Sequence, residues 1–215
     1  INNNFERIKF LLKGNLRNII ILIGVLFTTF ILFQAYTYYS IQELKKTSIN
    51  FFNSIDANED IIENLKEIKK GNDIFATLSK LKIIEKNNQE NNFNISNELY
   101  KEIILSKKID NLYKSAIALH ASHTLLNASY VEKTNIYFTD ISIFIDNIDS
   151  EIESYFSLKK ELLYLLLVAT SDINQLDYKN NSKALNMYNE IFNSTLISSS
   201  VKERVKKIHE FQIYK

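Results

Sequence analysis

The chain has no cysteine, no proline and no tryptophan, and only three glycines in 215 residues. Without cysteine there is no disulfide framework, no thiolate zinc site and no thiol nucleophile. Almost no turn-formers means no fold built from many tight hairpins, so a β-sandwich or β-barrel is excluded as an expectation. Charge of one sign is also missing. Lys and Arg number 26 against 25 Asp and Glu, a formal net charge of +1. The balance is uneven along the chain. Arg7, Lys9, Lys13 and Arg17 face only Glu6 within residues 1–17, so the remainder is slightly acidic. That argues against a nucleic-acid surface, which needs a clustered basic face. What is abundant is apolar surface, at 46% of residues, enough for a packed core.

Asn18 to Gln42 contains no charged residue, and its centre, Ile19–Phe33, reads IIILIGVLFTTFILF. Extended to Tyr39, the run is about 20 residues, close to a ~30 Å hydrocarbon core at ~1.5 Å per residue. The expected organisation is a basic N-terminus over residues 1–17, a transmembrane helix over 18–40 and an exported helical domain over 41–215. Ile19, Ile23, Gly24, Phe27, Thr28, Phe30 and Phe33 lie in the span. Thr28 and Thr29 are tolerated there because their hydroxyls bond back to the preceding turn. Arg17 on one side and Tyr36, Tyr38 and Tyr39 on the other are the interface anchors. Lys45 and Lys46 follow the span beside Glu43, so the positive bias favours a cytoplasmic N-terminus. Phe5, Ile8 and Leu12 share one face of the basic stretch, suited to an anionic leaflet. A cleaved signal peptide fits less well: the run is long and bulky tyrosines follow it. Gly24-x-x-x-Thr28 is a small-residue spacing, more simply one incidental glycine in lipid than a helix-pairing motif.

Past the span the apolar spacing is helical throughout, which makes the fold class all-α. A helix over Asn58–Lys70 is expected, capped by Asp56 or Asn58, with Glu59, Asp60 and Glu63 in its first turns and Gly71 closing it in the left-handed conformation. Asn72 or Asp73 caps the next, with Ile74, Phe75, Leu78, Leu81 and Ile84 on one side. Glu85–Asn94 reads as a polar loop, with a helix starting at Ser96. Asp110 caps a further helix, another covers Tyr137–Asn147, and the Leu-rich stretch from Ile152 to Leu167 is the most buried candidate. The last pair is Lys179–Phe192 and Ser200–Tyr214, the latter with Val201, Val205, Ile208 and Phe211 as its stripe. Second members of helix pairs begin near Asp73, Asp110 and Ser150, 37 and 40 residues apart. That is near the ~34-residue tetratricopeptide period, and such pairs must stack to share a core.

GNDIFATLSKLKII (71–84), IDNLYKSAIALHASHTLL (109–126), FSLKKELLYLLL (156–167), SKALNMYNEIF (182–192) and SVKERVKKIHEF (200–211) follow the basic end and the span. In this order the chain resembles the single-pass inner-membrane proteins known as ancillary subunits of the Sec translocon in Gram-negative bacteria. It departs from them in having only Gly71 in the body and no repeat-ending proline. The resemblance implies a tetratricopeptide-like stack of antiparallel helix pairs, held at the outer face of the inner membrane. It also implies protein partners: the translocon, periplasmic chaperones and exported chains.

No chemical motif competes with that reading. His120 and His123 have a chelating i,i+3 spacing but no carboxylate near them in sequence, so packing histidines are the simpler account. Asp140, Asp146, Asp149, Glu151 and Glu153 lack the glycine of a calcium loop and suit helix caps. There is no phosphate loop, Gly-x-Ser-x-Gly or His-Glu-x-x-His. The expectation is therefore a protein-binding scaffold with no cofactor and no metal, not an enzyme. The alternative is a ligand-sensing ectodomain of a membrane receptor-like protein. Tyr113, Tyr130 and Tyr155 are the candidate partner contacts.

Overall fold

The computed structural model describes residues 2–56, 61–71 and 74–215, with backbone alone for 2–17 and 19. Every element among the described residues is helical. The chain divides into two units, Ile1–Asn58 and Glu59–Lys215.

The first unit is one helix, α1 (Asn2–Asp56). Its stretch from Ile20 is long and apolar enough to cross a membrane, with a mean hydropathy of 2.0 over the best window, and none of that window is buried. Thr28 Oγ1 donates to the Gly24 carbonyl and Thr29 Oγ1 to Val25, both at 2.8 Å, so the hydroxyls are satisfied within the helix. Nothing lies within 4 Å of a Cβ built on Gly24. Tyr36, Tyr38 and Tyr39 are all exposed. The side chains of Arg17 and Ile19, and those of Phe5, Ile8 and Leu12, lie outside the described residues.

The second unit holds α2 (Ile61–Ile68), α3 (Ile74–Gln89), α4 (Phe93–Ile104), α5 (Asn111–Glu132), α6 (Phe138–Asp146), α7 (Glu153–Ile173), α8 (Ser182–Asn193) and α9 (Ser199–Tyr214). Among the described residues each helix packs on the next in sequence, and α4 on α6, α5 on α7 and α7 on α9 besides. Among the described residues no helix packs on one further along the chain than its second helical neighbour. Each short helix has one apolar face, and its nearest neighbours are what cover it. The C-terminal core is built this way, from Tyr164 and Val168 of α7, Ala184 and Ile191 of α8, and Val201 and Val205 of α9.

Helices α3, α5 and α7 end alike. Asn91, Lys133 and Gln175, spaced 42 residues apart, each take positive φ (59°, 52° and 54°). The next N–H in each case returns to a carbonyl five residues back: Asn92 to Asn87 at 2.8 Å, Thr134 to Ser129 at 3.0 Å and Leu176 to Ser171 at 2.8 Å. The side chains of Asn87, Ser129 and Ser171 in turn bond back to Ile83, Leu125 and Leu167. A second correspondence uses Ser115 and Ser157, both buried. Their hydroxyls accept the N–H of Asp149 and of Ser198, the residues that lead into the following long helices.

Several expectations change. Glu85–Asn94 is mostly helix. α3 runs to Gln89 because Asn87 turns inward and bonds Ile83, while Lys82–Glu85 and Lys86–Glu90 pairs support the outer face. α4 therefore starts at Phe93, and Ser96 is buried inside it. Gly71 does not take positive φ; Asn91, Lys133 and Gln175 do. Asp110 caps α5 as expected, accepting the Leu112 N–H at 2.9 Å. The long helices begin at Ile74, Asn111 and Glu153, so the second offset is 42 residues and not 40. On α7 the fully buried positions include Ser157, Glu161, Tyr164 and Ser171, while Leu163, Leu165 and Leu166 are only half-buried. On α9 Phe211 is exposed and Gln212 is buried, donating to Asp172 at 2.9 Å. Of the expected caps of α2 and α3, Asp56 is the last residue of α1, while Asn58, Asn72 and Asp73, with the first-turn acids Glu59 and Asp60, lie outside the described residues.

Two predictions follow from these contacts. Lys133 and Gln175 carry a Cβ in the left-handed region, where glycine is unstrained. Lys133→Gly and Gln175→Gly are each expected to stabilise the body by about 0.5–1 kcal/mol, read as a higher urea midpoint. Glu161 is buried and held by Arg204 through Nε at 2.6 Å and Nη2 at 2.5 Å. Arg204→Met strands that carboxylate. Since the arginine side chain is 49% exposed, solvent screens the loss to about 2 kcal/mol. The paired change Glu161→Met with Arg204→Met is expected to recover most of it.

Candidate functional site

The long helices α5, α7 and α9 are joined directly by polar contacts. Asp172 of α7 accepts Tyr130 of α5 at 3.3 Å, Gln212 of α9 at 2.9 Å and Lys215 at 2.7 Å. The Glu161–Arg204 pair joins α7 to α9 a few turns away. Between α3 and α5 no such closure exists among the described residues: both pack on α4, but not on each other. The gap is a groove floored by α4.

Its first part, about 360 Å³, is lined by Ile74, Leu78 and Leu81 of α3, Ile103 of α4, and Ile109, Tyr113 and Ile117 at α5. Its second part, about 620 Å³, is lined by Leu81, Ile84, Asn88, Tyr100, Ala116, Ile117 and His120. Leu81 and Ile117 border both, so the groove is continuous. Ile74, Leu78 and Leu81 fall at i, i+4 and i+7 on α3, and Tyr113 and Ile117 at i and i+4 on α5, so each helix contributes one apolar stripe. Ile74 is 58% exposed and Tyr113 64%, although both are large apolar side chains. Lys80 and Glu102 pair at 2.9 Å on the wall, leaving no uncompensated charge between them.

Tyr100 of α4, fully buried, stands between α3 and α5. Its hydroxyl meets His120 Nδ1 at 2.7 Å and receives Asn88 Nδ2 at a long 3.5 Å. Burial pushes the phenol above its usual range, against the pull of hydrogen bonds from Thr124 and Asn88, so it stays protonated.

Of the three candidate tyrosines, Tyr113 lines this groove. Tyr130 lies 17 residues further along α5, about 25 Å away, and its phenol is raised by burial and by the Asp172 charge beside it. Tyr155 is half-buried near the start of α7. The structure therefore does not gather the three into one surface. Leu78, Leu81, Ile117, Asn88 and Tyr100 carry the groove instead; the α3 spacing signalled Leu78 and Leu81, while nothing in the sequence reading marked Ile117, Asn88 or Tyr100.

His120 is engaged by Tyr100, and among the described residues no third His, Asp or Glu completes a metal-binding group with it and His123. Asp140, in the first turn of α6, is held by Asn97 at 2.6 Å and Lys101 at 2.8 Å. Asp149 caps the Glu151 N–H. A scan against family models, a search of curated proteins and a search of solved structures each return no match.

His123 and His209 both titrate below an ordinary histidine because burial disfavours the imidazolium; Glu161 opposes this at His123 and Glu210 at His209. His209 also stacks on Tyr188 at 3.7 Å between ring centroids and bonds Tyr178 at 2.7 Å. As pH falls, the unfolded chain takes up these protons first, so stability is lost through the window from about 7 to 5. Thermal melts are expected to show a lower midpoint at pH 5.5 than at 7.5. The difference shrinks in His123→Gln with His209→Gln.

Proposed function

We propose that this chain is a membrane-anchored protein-binding scaffold. In this reading α1 spans the inner membrane once, with the basic residues Arg7, Lys9, Lys13 and Arg17 cytoplasmic and the body from residue 41 onward periplasmic. The body is a tetratricopeptide-like stack of antiparallel helix pairs. Packing confined to first and second neighbours supports this, as does the recurring end of α3, α5 and α7. The 42-residue recurrence is longer than the ~34 of that repeat class because α5 and α7 run to 22 and 21 residues.

The observation that carries the reading is the groove between α3 and α5. It is apolar, continuous and walled by helices, the setting in which such stacks receive extended or helical segments of other proteins. Tethering by α1 keeps the groove at high effective concentration beside membrane partners. The resemblance in the basic end, the span and the helical units makes the Sec translocon, periplasmic chaperones and emerging exported chains the proposed partners.

A photoreactive amino acid at Leu78 or Tyr113, in the full chain in its membrane, tests the proposal. Adducts with translocon components or exported chains are expected at both positions and not at the exposed Glu203 on α9. Equal yields at all three positions, or none at the groove, contradict it.

A further inference from the structure

The two ends of α5 carry exposed apolar side chains in different electrostatic settings. Where α5 and α7 end, Val131, Ile136 and Leu176 are exposed, but the charges around them balance. Glu132 stands beside Lys133, Asp177 two residues from Lys179, and Lys215 is held by Asp172 at 2.7 Å. Where α5 begins, Leu105, Leu112 and Tyr113 are exposed, and the lysines are not matched. Lys107 and Lys108 lie in the turn between Leu105 and Leu112, and Lys69 follows the last residue of α2. Gly71, Lys108 and Tyr113 line one cavity, so the end of α2 and the α4–α5 turn meet here. Neither Lys69, Lys107 nor Lys108 pairs with an acid among the described residues. The nearby acids are engaged: Asp110 with the Leu112 N–H, Glu102 with Lys80 and Glu67 with Lys70. Lys114 belongs to a separate polar cavity with Asp146, Asp149 and Glu151, which bounds the patch.

Exposed leucines and a tyrosine flanked by unmatched lysines fit a lipid interface. The apolar tips enter the boundary between headgroups and acyl chains, the tyrosine lies at headgroup level, and the lysine stems run along the apolar surface while their ammonium groups meet phosphate. Anionic lipid adds attraction for each lysine held near the surface. The balanced end of α5 offers equal apolar exposure without that attraction. Lipid is also at hand. Asp56 lies about 25 Å along α1 from Tyr39, so chain connectivity keeps the body close to the membrane that α1 occupies.

We infer that this end of the body, Leu105, Leu112 and Tyr113 with Lys69, Lys107 and Lys108, rests on an anionic lipid surface. The inference rests on the reading of α1 as a membrane span and adds a second, reversible attachment to it. The first part of the groove opens at the same end, through Ile74, Lys108 and Tyr113. Its mouth then lies at headgroup level, where a segment leaving the bilayer meets it first.

The test uses the full chain in lipid nanodiscs. The chain has no cysteine, so Leu112→Cys, Val131→Cys and Phe30→Cys each supply a unique site for a fluorescent label. Brominated acyl chains quench a label that enters lipid. The Leu112→Cys label is expected to be quenched in phosphatidylglycerol mixed with phosphatidylcholine and not in phosphatidylcholine alone. The Val131→Cys label, about 28 Å further along α5, is expected to be quenched in neither. Adding Lys107→Gln with Lys108→Gln is expected to lower the ratio of quenched to unquenched Leu112→Cys label about tenfold or more. Comparing two lipids with one labelled protein keeps the result independent of the lysine variants. A Leu112→Cys label unquenched in the anionic mixture, quenched equally in both lipids, or quenched no more than the Val131→Cys label overturns the docking. The Phe30→Cys label separates this from the span. Quenched in both lipids, it leaves α1 in the membrane even where the docking fails; unquenched, it overturns the span and the docking together.

Discussion

Eleven large apolar side chains of α1, from Ile20 to Phe33, are exposed among the described residues. At about 1.5–3 kcal/mol for each, leaving them in water forfeits on the order of 20 kcal/mol, more than the whole stability of a typical domain. No rearrangement of hydrogen bonds or ion pairs offsets a term of that size. The proposed account follows from it. Lipid covers the run, the helix satisfies its own backbone, and Thr28 and Thr29 satisfy their own hydroxyls. In that account chain connectivity holds the body at a membrane surface.

Within the body the constraint is the opposite one. Each helix is short and must find its cover close by in sequence. Polar contacts set the register of this packing: serines at 115 and 157 receive the N–H groups that lead into the next long helices, and Asp172 gathers three donors from α5 and from α9 and its terminus. Where α5, α7 and α9 meet, these contacts close the surface. Between α3 and α5 the buried Tyr100 of α4 keeps a polar bridge, Asn88–Tyr100–His120, in place of direct helix packing. The groove is what remains open, and its chemistry is set by the same bridge.

Much of this was legible in the residues. The uncharged run, the all-helical class, the Asp110 cap and the starts of α3 and α5 followed from hydropathy, periodicity and capping chemistry. What was not legible has a common cause. Asn87, an unremarkable polar residue in a polar run, is buried because tertiary packing turns it inward, so a loop reading of Glu85–Asn94 failed. Lys133 and Gln175 take the left-handed conformation where the N–H groups of Thr134 and Leu176 return to Ser129 and Ser171, a role that composition assigns to glycine. Gln212 displaced Phe211 from the interior because Asp172, 40 residues away, supplied its partner. The groove was half visible: its α3 stripe had helical spacing, but Ile117 stood outside the stripe read for α5, and the Tyr100–His120 bond joins residues on different helices and leaves no local signature.

Alkaline carbonate extraction of membranes carrying the full chain tests the central claim most directly. A helix whose apolar run is covered by lipid stays with the membrane pellet at high pH, and the account predicts that the protein does so quantitatively. Recovery of the intact chain in the supernatant would mean that α1 is covered by protein, and would contradict it.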